Sequence, residues 1–201
     1  MIQLMKKNLI WRVAVLLVAV FTMSAQTAQA QNIVNEGTEG DWTYIYAAGV
    51  ATLARYSGSA TDVTTPATLG GYPVKRISTN CFKGKTALTS VTVSEGVVQI
   101  DYQSFQGCTH LASVSLPSTL VALGERAFED CSSLTSITLP SSLTHIEKST
   151  FRGCSSLATV TIPSSITSIG PKAFSGCTAL TSITIPSSMT EIEEGTFFSC
   201  I

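Results

Sequence analysis

From Val74 onward, apolar positions return in a fixed rhythm. Phe82, Phe105, Phe128, Phe151, Phe174 and Phe197 are each 23 residues apart, and Leu88, Leu111, Leu134, Leu157 and Leu180 keep the same step. Ile77, Ile100, Leu123, Ile146, Ile169 and Ile192 form a third column, and Pro117, Pro140, Pro163 and Pro186 a fourth. Within one unit, Ser136-Ile137-Thr138-Leu139 alternates polar and apolar, the period of a half-buried strand. Ile137 and Leu139 then face a core, while Ser136 and Thr138 face water. The following proline lacks an N–H and ends the strand. Leu143-Thr-His-Ile146 reads as a second short extended piece. Ser149-Thr-Phe-Arg-Gly-Cys154 reads as a tight helical or 3₁₀ turn whose glycine allows the chain to reverse.

A unit this short cannot bury its own apolar side. It needs a neighbour above and below, so the chain stacks into a solenoid of parallel strands ~4.8 Å apart. The pattern Leu-x-x-Ile-x-Leu-Pro-x-x-Leu-x-x-Ile-x-x-x-Ala/Thr-Phe-x-Gly-Cys over Val74 to Cys200 resembles the BspA-like leucine-rich repeats of bacterial surface proteins. The resemblance implies a leucine-rich-repeat solenoid, a β-rich α/β right-handed superhelix. Its parallel strands form the concave face, and short strands and 3₁₀ or helical turns lie on the convex side. It also implies export and a part in adhesion to host proteins or other cells. Trp42-Thr-Tyr-Ile-Tyr46 and Ala51-Thr-Leu-Ala-Arg-Tyr56, on either side of Gly49, look like the β-hairpin that caps the first coil in this family. Residues 31–72 are therefore expected to hold the cap and a degenerate first repeat, and 73–201 the repeats, the last incomplete. That last coil has no polar cap of its own, and an open coil edge can pair with a second copy.

Residues 1–30 read as a secretory signal. Lys6, Lys7 and Arg12 precede the apolar run Val13–Phe21, and Ala28-Gln29-Ala30 supplies a small-x-small cleavage site. Nine apolar residues are too few to span a bilayer, so no membrane insertion is expected after cleavage, and the protein should be secreted or held at the cell surface. Removing the signal removes those three basic residues and no acidic one. Nine Lys and Arg then remain against 13 Asp and Glu, a net charge of −4. An acidic balance argues against nucleic acid as partner.

With charged residues at 12%, serine and threonine must keep the surface wet. Ser90, Ser113, Ser136, Thr159 and Ser182 form one outward column, and Thr92, Ser115, Thr138, Thr161 and Thr184 another. These ten are the candidate ligand-binding residues, with an extracellular protein or a glycan as partner. The same columns also serve a purely structural role, because Thr suits exposed strands and cross-strand hydroxyl pairs contribute about 0.2–1 kcal/mol each. Two further readings stay open. One is a spacer segment of a longer surface protein, and the other a Ser/Thr array that matches a crystalline lattice.

Cys108, Cys131, Cys154, Cys177 and Cys200 occupy one column. Stacked ~4.8 Å apart with parallel vectors, they do not meet disulfide geometry, which wants Cβ atoms ~3.8 Å apart. They read as a ladder of buried free thiols donating to turn carbonyls. His110 and His145 stand in different columns, neither with a nucleophile set beside it. No phosphate loop, metal-ligand spacing or paired acids appear. The expected protein is not an enzyme and takes no metal or cofactor.

Overall fold

The computed structural model describes residues 35–189 and 191–200. The expected signal segment lies outside them. β2 (Trp42–Ala47) and β3 (Val50–Tyr56) form an antiparallel hairpin. Its turn carries Ala48 at φ 49° and Gly49 at φ 80°, the doubly left-handed pair a tight hairpin needs. β1 (Asn35–Glu39) lies beside β2. β3 pairs in parallel with β6 (Tyr72–Ile77), β6 with β8 (Gln99–Ile100), and β8 with β10 (Ala122–Leu123). β5 (Thr68–Leu69) adds to β6. On the other face β4 (Asp62–Thr64) pairs with β7 (Ser90–Thr92), and β7 with β9 (Ser113–Ser115). Two further ladders follow, β11 (Ser136–Thr138) with β13 (Thr159–Thr161) and β12 (His145–Ile146) with β14 (Ser168–Ile169). From β6 and β7 onward the coil-to-coil pairings are parallel and in the 23-residue register.

Between the two faces runs a column of phenylalanines. Phe82, Phe105, Phe128, Phe151 and Phe174 are fully buried. Successive rings stack with centroids 4.7–5.7 Å apart and planes within 11° of parallel, ending on Phe197. At the other end the stack is closed by the cap. Trp42 meets Phe82 edge-on at 5.8 Å, and Tyr56 packs at 5.3 Å. The cap aromatics are thus core, as Tyr44 and Tyr56 are buried and Tyr46 stacks on Tyr72 at 4.8 Å.

The Phe turns differ from the expected helical or 3₁₀ form, and no helix occurs among the described residues. Alternate amides go to different places. Ser104, Gln106 and Cys108 donate back three residues, to Asp101, Gln103 and Phe105, while Gln103, Phe105 and Gly107 donate to Glu125, Ala127 and Glu129 of the next coil. Left-handed residues at Gln103 (φ 55°) and Gly107 (φ 72°) turn those amides outward. A helix would direct every amide inward along its own chain, and here stacking claims half of them.

The six cysteines are free thiols. Cys108, Cys131, Cys154, Cys177 and Cys200 each donate to the carbonyl of the phenylalanine one coil back, Sγ to O 3.1–3.2 Å. Burial pushes the Cys81, Cys108 and Cys177 thiols up to about 12 and those of Cys131 and Cys154 well above their ordinary range. Because the thiolate is the nucleophile, the native chain at pH 8 is expected to react with Ellman's reagent at no cysteine other than the partly open Cys200. All six should react in denaturant. Fast native labelling of more than one thiol would contradict the buried ladder.

Stacking is uneven. Gly124 and Gly170 sit against the preceding coil so closely that a Cβ would lie 2.6 Å from the carbonyl carbon of Asp101 and 2.8 Å from the amide nitrogen of Lys148. The same column holds Ser78, Asp101, Glu147 and Glu193 elsewhere. Asp101 still turns inward, clamped by Arg76 Nε at 2.6 Å and Gln99 Nε2 at 2.9 Å. Glu147 is exposed and has no such clamp among the described residues. There the ladders open. The Val121 and Thr167 amides bond to Val98 and Thr144 at 2.9 Å, yet the Thr144 amide makes no matching bond to Val121 among the described residues. The amides of Gly124 and Gly170 bond to Ile100 and Ile146 at 2.8 Å, but that of Glu147 has no bond to Leu123. On the opposite face the amides of Val93 and Leu139 reach Ser115 and Thr161, at 2.9 and 3.1 Å, but that of Leu116 does not reach Thr138. The turn side stays shut, with Phe128 N to Thr150 O at 2.9 Å and Asp130 N to Arg152 O at 2.7 Å. The result is a crease between the Phe128 and Phe151 coils: the strand ladders lapse on both faces, although the Thr135 amide still reaches Ala112 at 3.3 Å and Ser142 Oγ donates to the Leu120 carbonyl at 2.6 Å, and the aromatic column stays closed.

Candidate binding face

Strand register sets the candidate residues side by side. Ser90 faces Ser113 and Thr92 faces Ser115, while Ser136 faces Thr159 and Thr138 faces Thr161. All are exposed except Ser90, which is half-buried. Ser182 and Thr184 are exposed on a segment that forms no strand. The structure therefore brings eight of the ten together on two ladders, with the crease between Ser113/Ser115 and Ser136/Thr138.

Two acidic residues join this face that the columns did not include. β4 places Asp62 opposite Ser90 and Thr64 opposite Thr92. Ser90 Oγ donates to Asp62 at 2.5 Å, and this bond with that from Thr61 holds the carboxyl below its ordinary range. Asp62 lies 28 residues before Ser90 rather than 23, so the repeat step missed it. Further along, Glu95 receives the Ser118 amide at 3.0 Å and the Ser118 hydroxyl at 3.1 Å, which also lower its carboxyl. No lysine or arginine occupies the strand positions of this face.

The crease forms a groove of about 460 Å³ on this face, lined by Glu95, Ser113, Ser115, Ser136, Thr138 and Pro140 over Val114 and Leu116. A second groove of about 390 Å³ opens on the other face of the same junction, beside Val121, Glu125, His145 and Glu147.

Both histidines are hydrogen-bonded locally. His110 Nδ1 donates to the Thr86 carbonyl at 2.7 Å, and His145 Nδ1 pairs with its neighbour Thr144 at 2.7 Å. Among the described residues no group of three His, Cys, Asp or Glu is placed to hold a metal ion, and no helix is long and apolar enough to cross a membrane. Outside the hydroxyl face, the ion pairs are Arg76 with Asp101, and Arg126 and Arg152 with Glu129, among the described residues. Buried Glu129 takes Arg152 Nη1 at 2.7 Å on the turn side.

Parallel coils around a leucine, phenylalanine and cysteine core define a leucine-rich-repeat solenoid of the kind that presents a surface. The chain belongs to the family described as the BspA type leucine rich repeat region, which matches six copies over residues 75–201. No curated protein matches it. Among solved structures it is similar to a leucine-rich repeat protein from Bacteroides ovatus, with TM-score 0.75 and 26% identity over 82% of this chain and 45% of that one. A leucine rich cell surface protein from Faecalibacterium prausnitzii gives 0.55 and 27% over 77% and 55%. A leucine-rich repeat protein from Eubacterium ventriosum gives 0.61 and 25% over 83% and 50%. The chain thus spans about half the length of these relatives.

Proposed function

We propose that this protein is an exported, non-enzymatic binding scaffold of the cell surface that engages an extracellular polypeptide or glycan through its hydroxyl face. The observation that carries this reading is the pair of in-register ladders, Asp62 to Ser115 and Ser136 to Thr161, whose outward residues are exposed apart from half-buried Ser90 and free of basic residues. It lacks the Trp, Tyr and Arg that usually anchor tight interfaces. Weak contacts repeated along the ladder are therefore the mode that fits. Kinship with a protein described as a leucine rich cell surface protein supports the location.

The test is binding of the purified chain to immobilised extracellular-matrix proteins and to a glycan array. The comparison is a variant carrying Ser136→Lys, Thr138→Lys, Thr159→Lys and Thr161→Lys. Saturable binding is expected, reduced at least tenfold in the variant while its circular dichroism is unchanged. Binding equal in both would move the site off this face.

A second reading is a spacer within a longer surface protein, supported by the chain's coverage of only about half of its relatives. A folded chain that binds nothing would favour it. The lattice-matching reading is weakened by the crease, which interrupts the array between Ser115 and Thr138. Self-association through the last coil has support in Ile192 and Phe198, 51% and 70% exposed. Sedimentation independent of concentration would remove it.

A further inference from the structure

The groove on the hydroxyl face has chemistry of its own. Its floor is apolar, formed by half-buried Val114 with Ile137 beside it. Leu116 is likewise half-buried. Its walls are the hydroxyls of Ser113, Ser115, Ser136 and Thr138. The Thr138 carbonyl has lost the amide that its counterparts Ser115 and Thr161 receive, which leaves an acceptor at the wall. Glu95 contributes a carboxylate, ordered by Ser118 and exposed to solvent. No cation lines the groove. An apolar floor with acceptors and one anion at its rim suits a group with an apolar stem and a cationic head. Lysine and arginine side chains have that form, laying their methylenes along apolar surface while the head stays polar. Free sugars present no such stem, and the groove offers no aromatic ring for a sugar to stack on.

Building on the binding-scaffold reading, we propose that the crease groove between the Phe128 and Phe151 coils is an anchor pocket for a lysine or arginine side chain of an extended polypeptide partner, with Glu95 as its counter-ion. The hydroxyl columns on either side hold the flanking peptide through weak contacts, and the groove sets its register. A volume of about 460 Å³ accommodates one such side chain with its neighbouring backbone.

The experiment measures fluorescence anisotropy of labelled, end-blocked Ser/Thr peptides bearing one central arginine, lysine, citrulline or glutamate, titrated with the full chain. Arginine and lysine peptides are expected to bind at least tenfold more tightly than the citrulline and glutamate forms. Glu95→Gln should abolish that preference and Glu95→Asp should retain part of it, both with unchanged melting. Glu147→Gln, on the opposite face of the same junction, should leave it intact. Equal binding of all four peptides, or a preference indifferent to Glu95→Gln, overturns the pocket. If matrix proteins still bind in a manner sensitive to the four-lysine variant, the scaffold reading survives that failure. If neither matrix proteins nor any peptide binds, both fail together.

Discussion

Phe128→Ala is expected to cost about 3–5 kcal/mol, the usual range for emptying a fully buried aromatic position. Phe128 is completely buried and stacks on Phe105 at 5.1 Å and Phe151 at 5.7 Å. Its loss leaves a void in the aromatic column that, with the thiol ladder and the turn amides, joins the coils across the crease, where the strand ladders lapse. In a solenoid each coil contacts only its neighbours, so a break in one interface uncouples what lies on either side. The melting curve should therefore drop by roughly 10 °C or more and broaden or split. Phe197→Ala is the comparison. Phe197 is only partly buried and stacks on Phe174 alone, so its removal should cost less than half as much. Equal losses would show that the column does not carry the coupling.

Gly124→Ala should be nearly as damaging although it adds only a methyl group. The added carbon would lie 2.6 Å from the Asp101 carbonyl carbon and 2.7 Å from the Tyr102 amide nitrogen, both backbone atoms that cannot swing away. The coil must lift, which strains the β8–β10 ladder and the Gly124-to-Ile100 bond of 2.8 Å. A cost of about 3 kcal/mol is expected, the upper range for overpacking. It should appear in chemical denaturation, with faster hydrogen exchange at the Val121 and Gly124 amides. Ordinarily, replacing glycine by alanine at a compatible site stabilises by about 0.4–1 kcal/mol. An unchanged or raised midpoint would therefore show that the coils are not in close contact there.

Much of this architecture is legible residue by residue in the sequence. The phenylalanine column, the thiol ladder and the two hydroxyl columns follow from a 23-residue step, because stacked coils bring equivalent positions together. Three features were not legible, each for a physical reason. The Phe segment has the composition of a helical turn, but its alternate amides bond between coils, a choice made by tertiary stacking. Asp62 enters the face from a first coil whose spacing is irregular. The crease depends on whether a column residue can nest against the backbone below, and Glu147 reads as an ordinary surface charge until its neighbour Gly124 is placed. The hydroxyl columns are therefore legible in the sequence while the groove between them is not.

The alternation of Gly124, Glu147, Gly170 and Glu193 also bears on how such a chain can change length. Deleting a single coil would keep phenylalanine upon phenylalanine and cysteine upon cysteine. If the coil lost were that of Glu147 or of Gly170, it would also set two glycines, or two glutamates, on consecutive coils. Deleting or duplicating two coils, 46 residues, preserves the order. Growth of this array in even steps would multiply grooves at a constant spacing, whereas an odd step would put one out of phase with the rest.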